Sequence, residues 1–180
     1  MTVLTTATAL RAEDLVQSIG VNAHLTATTS SYGNIANVES QLSYLGVDHV
    51  RSEAPGTAQI AALQTLGAAG VKFDLIVMTD PAAYMPILNT LAPYIDLVEG
   101  PNEVNVTTVQ YDGLVGAPAA IALQKALYAD VHSSTALNNA THSTAVLNFT
   151  VSVGNSYAPY GDMSAYADYT NVHALSLIHI

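Results

Sequence analysis

Short apolar runs alternate with amphipathic helical segments along most of the chain, and that alternation leaves few folds open. Residues 19–24 read as a compact strand with Asn22 and His24 at its exit. Asn34 then caps a helix with apolar positions Ile35, Val38, Leu42 and Leu45, stopped by Gly46. A second strand over 47–51 is closed by Pro55-Gly56, and Thr57 caps a helix over 58–69. A third strand over 71–78, a helical segment from Asp80-Pro81 through Leu91 and a fourth strand over 95–99 continue the pattern. A loop through Gly113 and Pro118 leads to a helix over 119–131. A fifth strand over 144–151, a short helix over 163–167 and a sixth strand over 169–174 follow. Strand–helix units of roughly 30 residues build a parallel sheet with covering helices, and right-handed crossovers curl it in one direction. Doubly wound sheets share this alternation. The turn after the first strand carries no GxGxxG fingerprint, however, and no Walker-type loop occurs, which speaks against nucleotide binding.

Composition narrows the partners. At 180 residues the chain suits one domain, 1–180, with 1–17 as a lead-in. Apolar residues make up 50% of it and charged residues 10%, against roughly 25% charged in an ordinary soluble domain. Solubility therefore rests on Ser, Thr, Asn and Gln, a tendency of secreted proteins. Only 4 basic residues, Arg11, Arg51, Lys72 and Lys125, stand against 14 acidic ones. So few cations cannot neutralise a phosphate backbone, which argues against nucleic acid and anionic membranes; a neutral polysaccharide is indifferent to this charge. The absence of cysteine removes disulfides and thiolate chemistry. No apolar run is long enough to span a bilayer, and no secretory signal is visible in the first residues.

The most chemically marked stretch is Glu99-Gly-Pro-Asn-Glu103. Glycine and proline stop the fourth strand, leaving an amide and a carboxylate just beyond its C-terminal end, where parallel α/β proteins place their chemistry. The plainer alternative makes Glu103 the first-turn carboxylate of a following helix, favoured by the helix dipole.

Asn-Glu after a buried strand resembles the acid/base signature of clan A glycoside hydrolases, the retaining (β/α)8-barrel enzymes that include cellulases and mannanases. Residues 45–51, ending in Arg51, resemble the second strand of that family, and residues 168–173, ending in His173, resemble its sixth. The resemblance implies an α/β fold of the TIM-barrel kind, incomplete, with about strands one to six present. It implies Glu103 as general acid/base and Asn102 as ligand of the substrate 2-hydroxyl. Arg51 would order the catalytic carboxylates, and His173 would face the cleft. Asn22 and His24, at the first strand exit, and Tyr157, as a stacking surface for sugar rings, complete the substrate-binding set. No cofactor and no metal are implied; no paired-histidine spacing supports one. The partner would be a β-linked polysaccharide or oligosaccharide, and the parent protein extracellular. Each residue also has a structural alternative: Arg51 as an ion-pair partner of Glu53, His173 as a core histidine, Glu99 as a strand-end structural carboxylate.

The family nucleophile, a glutamate at the seventh strand end, has no counterpart in this sequence. Its last residues, 175–180, lack turn residues and read as a non-native tail. A retaining mechanism needs two carboxyl groups about 5–5.5 Å apart, so little hydrolase activity is expected. Open sheet edges in an incomplete barrel are expected to favour self-association.

Overall fold

The computed structural model describes residues 19–152 and 155–173. Five strands form one parallel sheet: β1 (Gly20–Asn22), β2 (His49–Glu53), β3 (Lys72–Ile76), β4 (Ile95–Glu99) and β7 (Ala145–Leu147), in the order β1-β2-β3-β4-β7. Each strand lies beside its predecessor in that sheet, so no topological switch point occurs among the described residues. Four helices separate them: α1 (Ile35–Leu45), α2 (Ile60–Ala68), α3 (Pro81–Leu91) and α4 (Ala117–Ser133).

The helix ends follow local chemistry. Asn34 Oδ1 accepts the Asn37 N–H at 3.1 Å to open α1, and Gly46, at φ 67°, closes it in the left-handed region. Asp80 Oδ1 accepts the Ala82 N–H at 3.1 Å with Pro81 at the first helical position of α3. Thr57 does not cap its helix: residues Thr57–Gln59 form a 3-10 turn without a side-chain cap, and α2 begins after it.

The strands alternate. Val50, Phe73, Leu75, Ile95, Val98 and Val146 enter one apolar cluster with Leu42 of α1, Leu63 and Leu66 of α2, Leu88 and Leu91 of α3, and Leu127 and Val131 of α4. All four helices thus share the core on one face of the sheet. The opposite face carries a polar row, Asn22, Arg51 and Asp74, joined register to register and continued by Leu97. A second cluster packs α4 against Val104, Phe149, Tyr160 and Met163 beneath the loops.

Three elements differ from the sequence reading. The expected fifth strand stops at Leu147 because Asn148 Oδ1 accepts the next N–H, that of Phe149, at 3.0 Å. Thr150 then bonds the loop after β4 instead, through Pro101 O and the Val104 N–H. The expected sixth strand is reduced to one bridge, Tyr169 to Leu147, with the Asn148 N–H on Tyr169 O at 3.1 Å; residue 174 lies outside the described residues, as do the lead-in and the tail. Finally, the segment read as a loop holds a hairpin, β5 (Gln110–Tyr111) and β6 (Leu114–Val115). Asp112 and Gly113 turn it at φ 51° and 74°. The Asp-Gly pair was the legible signal for such a turn.

Candidate active-site cleft

Arg51 is the hub of the polar face. Its Nε donates to Glu99 Oε2 at 2.7 Å and its Nη2 to Glu99 Oε1 at 2.5 Å, a bidentate pair that spans the intervening strand β3. Glu99 is 0% exposed. Burial alone would pull the Arg51 guanidinium down; the Glu99 hydrogen bond and charge, helped by Asp74 and Glu53, raise it above its ordinary value instead. The partner of Arg51 is therefore Glu99 and not Glu53. Glu53, at the end of β2, receives His24 Nδ1 at 2.8 Å and the Thr26 hydroxyl at 3.4 Å. Burial works against its charge, but its own backbone N–H and His24 hold its carboxyl below the usual range.

The loop after β4 is built onto this hub. Arg51 Nη2 also donates to Asn102 Oδ1 at 2.9 Å, and the Thr150 hydroxyl reaches the same oxygen at 3.4 Å. With Oδ1 taken, the amide nitrogen of Asn102 is left as a donor without a partner among the described residues, an assignment set by the hydrogen-bond network. Glu103 follows at φ 48°, an uncommon conformation for a side chain other than Gly, Asn or Asp. Its N–H is anchored on Thr150 Oγ1 at 2.8 Å, and its carbonyl accepts the N–H groups of Val106 and Thr107, both at 2.9 Å. Glu103 thus belongs to a turn, and the helix-start alternative falls: α4 begins only at Ala117. Thr150→Val would strand the Glu103 N–H and is expected to cost about 1–3 kcal/mol in denaturant unfolding. A loss within experimental error would show that the carbonyl bonds hold the turn alone.

His173 closes the ring. Its Nδ1 lies 2.9 Å from Glu103 Oε1 and its Nε2 lies 3.4 Å from Arg51 Nη2. A guanidinium has only donors, so Nε2 must offer a lone pair and the proton sits on Nδ1, directed at Glu103. Asn22, Arg51, Asn102, Glu103, Asn171, Val172 and His173 line one cleft of about 470 Å³ beyond the C-terminal ends of the strands.

No family model, curated protein or solved structure matches the chain. The site's own geometry is then what bears on function. Asn22, Arg51, Asn102, Glu103 and His173, five of the seven residues singled out from the sequence, share the cleft. His24 and Tyr157 stand apart from its lining. His24 pairs with Glu53 and meets Tyr32 edge-on at 6.1 Å. The Tyr157 hydroxyl accepts the Val151 N–H at 3.1 Å and donates to Asn171 O at 2.7 Å, while its ring stacks on Phe149 at 6.3 Å. It borders a neighbouring hollow of about 410 Å³ with Asn148 and Tyr169, and its hydroxyl tethers the segment carrying His173.

Thr150, Asn171 and Asp74 belong to the site or its support without having been read from the sequence. Nothing local marks Thr150 or Asn171. Asp74 did carry a signal: a lone acid inside the apolar run Val71-Lys-Phe-Asp-Leu-Ile-Val77. Among the described residues, no three His, Asp or Glu side chains converge to hold a metal ion.

Proposed function

We propose that this cleft is the acid/base half of a retaining glycoside hydrolase site, carried by about strands one to six of a (β/α)8 barrel. One observation carries the reading: Arg51, the adjacent Asn102 and Glu103, and His173 meet in a single cleft, although they come from three separate segments of the chain. Ligand sites lie at that end of parallel sheets. Progressive strand order and helices packed on one face support a barrel over a doubly wound sheet.

In this reading Glu103 protonates the leaving glycosidic oxygen and later deprotonates the attacking water. His173 Nδ1–H fixes the orientation of the carboxyl. The remaining amide nitrogen of Asn102 meets the 2-hydroxyl, a bond that tightens as the oxocarbenium-like transition state forms. The substrate is a neutral β-linked polysaccharide, encountered outside the cell.

The second carboxylate is missing from this picture. Glu99 cannot serve, being buried and committed to Arg51. No carboxylate besides Glu103 lines the cleft among the described residues. The purified chain is therefore expected to bind oligosaccharides yet turn over little or no β-glucan or mannan. Measurable turnover would refute the missing-nucleophile argument; no binding to any neutral oligosaccharide would refute the glycoside reading. The single carboxylate also favours a second reading, a non-catalytic carbohydrate-binding protein. Binding that survives Glu103→Gln, with no turnover by any longer form of the chain, would select it.

A further inference from the structure

Asp74 is an acid of the polar sheet face to which the proposed chemistry gives no part. It stands on β3, between β2 and β4, at the register level of Arg51. The Arg51–Glu99 pair spans that strand. Asp74 as a residue is only partly covered, but its Oδ1 is sealed from solvent without a hydrogen-bond partner among the described residues. An ionised carboxylate here adds a second buried negative charge beside one guanidinium already engaged by Glu99. Burial first, then the Glu99 charge, push the Asp74 carboxyl up to about 7, with Arg51 pulling the other way. The other charged groups of this face are engaged elsewhere. Glu53 pairs with His24; one register step below, His49 pairs with Asp48 and Asp96, and Lys72 with Asp96.

We infer that Asp74 is a positioning residue acting through Arg51: neutral, it leaves the guanidinium committed to Asn102 and His173, and ionised, it competes for the guanidinium and loosens both. The proton it loses goes to solvent. The contact with His173, at 3.4 Å, is the longest that Arg51 makes here and is the first to yield. With it goes the restraint that keeps the His173 proton on Nδ1, facing Glu103. Asn102 then loses the bond that holds its Oδ1 on Arg51. The consequence for ligand rests on the glycoside reading; the side-chain rearrangement does not.

The test uses the full 180-residue chain, labelled with 15N and 13C and titrated by NMR between about pH 5 and 9. The Asp74 carboxyl resonance is expected to titrate near 7. Arg51 Nε, which does not itself titrate in this range, should step at the same midpoint, and in Asp74→Asn that step should shrink or vanish. A wild-type Asp74 carboxyl titrating near the ordinary value of about 4 overturns the inference. So does an Arg51 Nε step of undiminished size in Asp74→Asn. Should Asp74→Asn not fold, coincidence or separation of the wild-type midpoints decides the matter. In a second arm, calorimetry with cello- and manno-oligosaccharides should show affinity falling about tenfold across that midpoint in the wild type. In Asp74→Asn the fall should be under about twofold. The NMR step without binding at any pH supports the role of Asp74 and overturns the glycoside reading instead.

Discussion

Arg51→Ala is expected to lower the stability of the chain by about 3–5 kcal/mol, because it strands a fully buried carboxylate. Glu99 is 0% exposed, and both its oxygens are satisfied by this one guanidinium. Truncating Arg51 leaves Glu99 either charged and unpaired or protonated at the cost of a shifted equilibrium. Arg51→Lys does not rescue the pair, since an ammonium cannot reproduce the two parallel bonds. Replacing both partners by apolar residues of similar volume should cost far less than either single change, because desolvation of the pair disappears with it. Urea unfolding of the two single variants and the double variant gives the coupling directly. A single-variant loss below about 1 kcal/mol, the range of exposed pairs, would show that water reaches Glu99. Arg51→Ala should also abolish oligosaccharide binding, since Asn102 and His173 lose their shared anchor together.

Asp74→Asn is expected to act in the opposite direction and only over part of the pH range. The folded-state pKa of Asp74, about 7, lies above the ordinary aspartate value of 3.8. A raised carboxyl pKa means that the folded state holds the proton more tightly than the unfolded chain. The cost of burying the group therefore grows as pH rises through the unfolded value and is complete above about 7. At pH values below the unfolded one, Asp74 is neutral in both states and Asn offers no advantage. Above neutrality, the variant should gain on the order of 2–4 kcal/mol, the upper figure following from the full shift and the lower allowing for residual solvent. Thermal or urea unfolding of wild type and variant across the acid-to-neutral range measures the difference. A gain independent of pH would point to packing at β3 and remove the charge from the argument.

The two experiments probe one network from opposite ends. Removing Arg51 exposes what the negative charges cost without it; removing the Asp74 charge exposes the surplus of acid over a single cation. They are close enough in space that their effects should not add.

Much of the scaffold was legible because its determinants are local. Asn34 as a cap, Gly46 as a stop and Asp80-Pro81 as a helix start act within one turn of the chain and hold in the structure, and Val38 and Leu42 are buried as their spacing predicts, whereas Leu45, read on the same face, is 58% exposed. The Gly100-Pro101 break likewise marked where β4 must end, and with it the position of Asn102 and Glu103. What the chain could not reveal lies across strands. Glu53 is the near neighbour of Arg51 in sequence, yet two residues along a strand are already about 6.6 Å apart. Glu99, 48 residues away, is delivered into bonding distance by the register of β2, β3 and β4. The same register sets Asp74 between them, and the turn of Asn148 out of β7 brings Thr150 under Glu103. Tyr157 offered an exposed-looking aromatic in a loop; only its packing on Phe149 and its bond to Asn171 show that its hydroxyl is already spent. The order of residues alone showed which segments carry amide, acid, imidazole and guanidinium. Which of them pair was settled only in the folded chain, because pairing follows from strand register, and no residue encodes that alone.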